Sequence, residues 1–301
     1  MKIMNTTTML IYNPVSGRTA DKLVLLGKAV KKLSSGGRAL LVCQTSGKKD
    51  VERFKKAFSE EPGCDEIIVF GGDGTLHNVL NALILSGKDI PLGYIPMGST
   101  NDYAKNLGIN RENALKVITA RDCRAMDVGC FNGEYFSYVA AFGNFTDISY
   151  STNQQTKNNL GYLAYLIEAV GKLLELKPFH ARIHVGEKLI EDDFAVGLFT
   201  NAFYTAGIRN RSGIIIDLRD GLLEYVLVKM PENPRDLSGI ISGLLNGNRD
   251  NEYIYSGSAK SFLIESAPMA WTLDGENGGI HERCEISVLP QRIKMYVSAQ
   301  S

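Results

Sequence analysis

Asp73 stands within Gly71-Gly72-Asp73-Gly74-Thr75, directly after the apolar run Ile67-Ile68-Val69-Phe70. Glycines at 71, 72 and 74 permit positive φ and let a ligand reach the backbone with no Cβ in the way. Beyond them Leu76, Val79, Leu80 and Leu83 have the spacing of one helix face. The unpaired N–H groups at such a helix start favour an anion. A bare carboxylate there would repel phosphate, and a bridging Mg²⁺ resolves the conflict, because that ion joins carboxylates to substrate phosphates. The plain alternative is a glycine turn with Asp73 as a helix cap. Neither a GxxxxGK[ST] loop nor a full GxGxxG fingerprint is present, since His77 occupies the last glycine position.

Other stretches carry chemistry of the same kind. Pro96-Met97-Gly98-Ser99-Thr100-Asn101-Asp102 offers hydroxyl and amide groups for phosphate or ribose, and equally a cap for a helix beginning near Asp102. Asn13-Pro14-Val15-Ser16-Gly17-Arg18 is a turn-rich loop with several donors. Asp274 and Glu276 in Trp271-Thr272-Leu273-Asp274-Gly275-Glu276 lie on the same side of the chain if it is extended. A carboxylate of this kind can take the proton of a hydroxyl attacking a phosphoryl group; alone, Asp-Gly-Glu is a turn. The acids ending Ile214–Glu224, among them Asp217 and Asp220, would suit Mg²⁺ or an acidic turn. His180 and His184 have no partners nearby and read as ordinary histidines.

The elements that must position these residues follow from periodicity. Strands are expected at 9–12, 38–43, 67–70 and 92–95, alternating with helices at 21–35 (Leu23, Leu26, Val30 and Leu33), 50–58 and from Thr75 onward. That alternation implies a parallel, helix-covered sheet. Ligands of such sheets lie beyond the carboxyl ends of the strands, where loops 13–18, 71–75 and 97–102 all emerge. After about residue 123 the texture becomes mostly β. It includes a hairpin at Asn132-Gly133, a long helix over 158–176, strands at 180–185, 188–190, 195–200, 224–229, 252–257, 259–265 and 283–289, and an amphipathic stripe of Leu237, Ile240, Ile241, Leu244 and Leu245. The stripe is expected to pack on the sheet, with peripheral membrane contact left open.

Composition narrows the classes. The 301 residues suit one large or two ordinary domains, and 44% are hydrophobic. Thirty-three basic residues balance thirty-three acidic ones, without the basic excess of a nucleic-acid binder. The pairs Lys31-Lys32, Lys48-Lys49 and Lys55-Lys56 read as solvated faces. Five dispersed cysteines form no CxxC and fit reduced thiols, with Cys43 and Cys130 expected in the core. Neither a signal peptide nor a membrane span is legible, so a soluble, cytoplasmic chain is expected.

Taken together, the chain resembles the bacterial diacylglycerol kinase-like soluble lipid kinases, relatives of sphingosine and ceramide kinases. The matching stretches are 13–17, 71–76, 96–104, 126–129, 220–223 and 273–276, in the family's order. The resemblance implies an α/β plus mostly-β fold of NAD kinase-like architecture. A parallel-sheet nucleotide-binding domain (1–125 and 290–301) would be followed by a β-sandwich-like domain (126–289), with ATP between them. By position, Asn13, Pro14, Val15, Ser16, Gly17, Thr45, Leu76, His77 and Ser99 would contact nucleotide, while Gly71, Gly72, Asp73, Gly74 and Thr75 cradle its phosphates. Asp73, Asp102 and Asp127 would form a Mg²⁺ network, and Asp217, Asp220 and Leu222 a structural metal site. Glu276 would be the general base, with Asp274 beside it.

The family usually reads Gly-Thr-Gly-Asn-Asp where this chain has Gly98-Ser99-Thr100-Asn101-Asp102, and often asparagine where it has His77. The implied activity is ATP- and Mg²⁺-dependent phosphorylation of a lipid hydroxyl, diacylglycerol first. Such a cytoplasmic enzyme would touch the membrane transiently, with a homodimer left open. The alternatives are a kinase for a soluble substrate such as NAD, or an idle lipid- or nucleotide-binding regulator.

Overall fold

The computed structural model describes residues 6–15, 19–60, 63–143, 177–205, 208–209, 216–246 and 251–298, with no side chains for 19–21, 204–205, 208–209 and 244–246. Ser16, Gly17, the helix expected over 158–176, most of the apolar run before Asp217, and the side chains of Leu244 and Leu245 fall outside them. The chain divides into two compact units, Met1–Val128 with Pro290–Ser301, and Gly129–Leu289.

In the first unit strands and helices alternate: β1 (Thr6–Tyr12), α1 (Thr19–Ser35), β2 (Arg38–Gln44), α2 (Asp50–Ser59), β3 (Glu66–Gly71), α3 (Asp73–Ser86), β4 (Leu92–Pro96), α4 (Asp102–Asn106) and α5 (Ala114–Ala120). β1 pairs in parallel with both β2 and β3, and β3 with β4. Every residue of β3 and β4 is buried, which is why both read as unbroken apolar runs rather than alternating ones.

The inward face of α1 differs from the expected stripe. Leu23 is 62% exposed, whereas Lys22, Ala29 and Leu33 are buried. Lys22 turns inward because its ammonium donates to the carbonyl of Pro14. Deeper in the unit, Glu66 on β3 is 1% exposed and accepts hydrogen bonds from Arg38 and Thr8. Burial alone would raise its carboxyl, but the bonds from Arg38, Thr8 and Tyr296 hold it below the usual carboxylate range.

The second unit is mostly β. β5 (Cys123–Phe131) turns through Asn132 (φ 48°) and Gly133 (φ 91°) into β6 (Glu134–Phe136), the hairpin that Asn-Gly predicts. Then follow β7 (Val139–Gly143), β8 (Phe179–Val185), β9 (Lys188–Thr200), the short β10 (Tyr204–Thr205) and β11 (Ile208–Arg209), and β12 (Leu223–Lys229). Helix α6 (Pro234–Asn246), β13 (Ile254–Ala259), β14 (Ser261–Leu273) and β15 (Glu276–Tyr296) complete it.

Four of these strands close a ring, in which β7 pairs with β9, β9 with β8, β8 with β14, and β14 with β7, all antiparallel. β14 bends through two register shifts, one of them spanning Pro268, where a strand tolerates a residue lacking an N–H. Phe142, Phe199, Phe262 and Trp271 pack edge-on or tilted within this unit's core. β12 pairs with β9 and β13, and Ile240 of α6 packs over Val196, Val226 and Ile254, with Leu237 and Ile241 against the same cluster, so the described part of the amphipathic stripe lies on a sheet. The first residues of β15 pair with β14, while Met295 near its end pairs in parallel with Leu92 of β4.

The described residues thus form an α/β fold with a closed four-stranded β ring, further strands and helices. Two further expectations change. Residues 188–190 and 195–200 belong to one strand, because Glu191, Asp192 and Asp193 between them continue the ladder with β8. Cys43 and Cys130 are only half-buried; the buried cysteine is Cys284, whose thiol burial pushes up to about 12.

Candidate active site

The bend after β3 is built from main-chain contacts. Gly72 caps α3 in an extended conformation (φ −93°), and its carbonyl accepts from the N–H groups of Thr75 and Leu76, each at 3.1 Å. Gly71 is strand and Gly74 helix, so positive φ is not why glycine stands here. The reason is room. A Cβ on Gly71 would sit 2.6 Å from Thr75 Oγ1, and one on Gly98 would sit 2.9 Å from Gly72 Cα. Loops 71–75 and 97–102 therefore touch backbone to backbone, and the Met97 N–H adds a 2.7 Å bond to the Gly71 carbonyl.

Side-chain and main-chain bonds also order the loops around this bend, one of them reaching it directly. Asn13 donates through Nδ2 to Thr75 Oγ1 at 2.9 Å, and its Oδ1 accepts from the Val15 N–H at 2.9 Å. The Thr45 N–H donates to the Tyr12 carbonyl at 2.9 Å, which holds the loop after β2 against the end of β1. Asn101, with φ 51°, closes the 98–101 loop on itself: Oδ1 accepts from Gly98 N (2.7 Å) and Nδ2 donates to Gly98 O (2.9 Å). Its side chain does not cap the following helix. Ser99 and Thr100 are left exposed at the tip of that loop.

Asp73, half-buried at the first residue of α3, accepts from the Asp102 N–H through Oδ2 (3.0 Å) and from the Tyr94 hydroxyl through Oδ1 (3.3 Å). The Asp102 carboxylate is buried and paired with Lys105 at 2.9 Å. Asp127 is wholly buried and accepts from the Gln291 N–H at 2.7 Å. His77 is buried, and its carbonyl takes Asn81 Nδ2 at 3.0 Å. Sequence reasoning missed Tyr94, Lys105 and Arg111, whose guanidinium donates to the carbonyls of Gly98 (3.0 Å) and Pro96 (3.2 Å). Only the charge of the last two was visible beforehand.

In the second unit, Asp274 (φ 52°) and Gly275 (φ 85°) form the two-residue turn between β14 and β15. The segment is therefore not extended, and its two carboxylates part: Asp274 is 3% exposed while Glu276 is exposed. The Asp274 carboxylate accepts from Ser137 N (2.7 Å), Ser137 Oγ (2.9 Å), Tyr138 N (2.9 Å) and Val139 N (3.2 Å). It anchors the hairpin from which Glu276 projects.

Asp217 and Asp220 are exposed and serve their own turn, accepting from the N–H groups of Arg219 (3.1 Å) and Leu222 (2.9 Å) respectively. Among the described residues no cluster of three or more His, Cys, Asp or Glu could hold a metal. His180 lies on the outer face of β8 and bonds Asp193 at 2.8 Å.

Mg²⁺ is held in phosphotransfer sites by one or two carboxylates with substrate phosphates and water, not by an all-protein cage. Asp73, fixed at a helix start beside Asp102, suits that role.

Comparison with known proteins agrees with these motifs. Residues 7–131 match the model of the diacylglycerol kinase catalytic domain. The diacylglycerol kinase of Bacillus subtilis (strain 168) is 31% identical over 276 residues, covering 90% of each chain. That of Staphylococcus epidermidis (strain ATCC 12228 / FDA PCI 1200) is 32% identical over 286 residues, covering 92% of this chain and 87% of its own. A crystal structure from Bacillus anthracis str. Sterne superposes with a TM-score of 0.80 at 26% identity, covering 98% of this chain and 96% of the other. A single relative at this identity and coverage, with the glycine bend, the Asn-Asp loop and the Asp-Gly-Glu hairpin all in place, leaves one assignment: the chain belongs to the diacylglycerol kinase family.

Proposed function

We propose that this protein is an ATP- and Mg²⁺-dependent lipid kinase that transfers the γ-phosphoryl group of ATP to the free hydroxyl of diacylglycerol, giving phosphatidic acid. The reading takes the architecture as NAD kinase-like. Residues 1–125 with 290–301 form the ATP-binding domain, and 126–289 form a β-sandwich-like lipid-kinase domain built on the ring. The observation that carries it is the bend around Asp73, where two glycine loops pack backbone to backbone at a helix start within a chain of this family.

Asn13, Pro14, Val15, Ser16, Gly17, Thr45, Leu76, His77 and Ser99 contact nucleotide in this reading, and Gly71 to Thr75 cradle its phosphates. Main-chain N–H groups at the start of α3 hold the phosphoryl oxygens as negative charge spreads over them. Asp73 would hold Mg²⁺, with Asp102 and Asp127 in the surrounding network; the ion, when bound, neutralises phosphate charge. Glu276 accepts the proton of the attacking hydroxyl, and its exposure leaves it reachable by substrate. Asp274 acts beside it by fixing the hairpin. Asp217, Asp220 and the Leu222 backbone are proposed as a structural Mg²⁺ site.

None of the described helices is long and apolar enough to cross a membrane. Access to lipid would then come by transient contact of a cytoplasmic enzyme with the bilayer surface. Incubating purified protein with Mg²⁺, γ-labelled ATP and diacylglycerol in mixed micelles, with NAD as a parallel acceptor, tests the reading. Labelled phosphatidic acid is expected, and transfer to NAD but to no lipid alcohol would overturn it.

A further inference from the structure

Tyr94 lies in the middle of β4, level with Val69 of β3 in the ladder, and its side chain is entirely buried. Its strand neighbours Leu92 and Ile95 are buried hydrophobics, and an aliphatic residue would fill that kind of position with no polar atom to satisfy. A buried hydroxyl is costly unless it finds a partner. Here the partner is Asp73 Oδ1, at 3.3 Å. The other oxygen of the same carboxylate takes the Asp102 N–H at 3.0 Å. Two donors from separate elements, β4 and the start of α4, thus meet the two oxygens and set the plane of the carboxylate.

We infer that Tyr94 is a positioning residue for Asp73, its hydroxyl holding the carboxylate in the orientation that receives the metal–nucleotide complex. This rests on the reading of Asp73 given above. Outer partners of metal-binding carboxylates orient them, and their loss typically weakens metal affinity about 10- to 100-fold. The lower end applies to one long bond from a neutral donor.

The test compares Tyr94→Phe, which keeps the ring and removes the hydroxyl, with Tyr94→Leu, which removes both. Binding of Mn²⁺ in the presence of a non-hydrolysable ATP analogue is read by electron paramagnetic resonance, and lipid phosphorylation is read alongside. Y94F should weaken Mn²⁺ binding about tenfold and lower kcat by a similar factor. The KM for diacylglycerol should not change, and melting should stay within about 4 °C of the parent.

If Y94F binds Mn²⁺ as tightly as the parent, the inference fails, whether Y94L is impaired through ring packing or not. It fails too if the parent binds no Mn²⁺–nucleotide. If the parent binds that complex in a Tyr94-dependent way but phosphorylates no lipid, the substrate assignment fails and the role of Tyr94 stands. If the parent phosphorylates diacylglycerol and Y94F matches it in every readout, the reverse holds.

Discussion

Asp73 and Asp274 each stand beside glycine where a strand ends, and each is held by backbone N–H groups, yet the two bends are made differently. At Asp73 no residue of the bend needs a left-handed conformation; glycine is required because two loops meet with no space for a Cβ. At Asp274 the two turn residues both have positive φ, and a Cβ on Gly275 would meet open space. The first carboxylate is half-buried, while the second is sunk among the main-chain groups of residues 137–139. One bend is set by the close packing of two loops, the other by the main chain that its carboxylate anchors. A motif of aspartate with glycine therefore does not by itself say which purpose it serves.

The largest test of that contrast is Asp73→Ala. In the proposed reaction it should cost about a thousandfold or more in phosphoryl transfer, while stability falls by about 1–3 kcal/mol, because the buried Tyr94 hydroxyl loses its acceptor. An equal loss of stability would erase the distinction. Asp274→Ala should do the opposite, destabilising the fold by about 3–5 kcal/mol in a denaturant titration, because several buried N–H groups lose their acceptor. Third comes Gly98→Ala, whose new Cβ would press on Gly72 Cα. Activity should fall by more than about tenfold, at a stability cost of about 1–3 kcal/mol.

A smaller effect should come from the buried Glu66 cluster, a structural carboxylate of the first unit. Its folded pKa lies below its unfolded value, so its contribution is fully present above the ordinary glutamate range. That contribution is lost as pH falls through the depressed folded value. Unfolding measured across pH should therefore show an acid-side loss of stability that Glu66→Gln removes.

Much of the local structure was legible. Apolar runs marked β1, β3 and β4, helical spacing marked α2 and α3, and Asn132-Gly133 announced its hairpin, because each of these is decided by neighbours in the chain. What escaped was non-local. Ring closure depends on β14 meeting both β7 and β8, and no stretch of residues 261–273 encodes that by itself. Three acids hid the continuity of β9, since strand 188–200 is held by its partners more than by its own pattern. The loops around Asp73 could be picked out, but their mutual contact could not. Gly98 and Gly72 are 26 residues apart in this numbering, and Tyr94 reads as one more residue of a hydrophobic strand.

The hydrogen bond from Tyr296 to Glu66, 2.8 Å long, joins residues 230 positions apart. During synthesis on the ribosome, Glu66, Arg38 and Thr8 emerge long before the strand that supplies Tyr296. The first unit must wait, with one edge of β4 uncovered, until everything from Gly129 to Leu289 has been translated. The inserted unit carries no such debt to later residues and is able to mature first. A released chain truncated before residue 290 would thus hold a complete insert and an unfinished host.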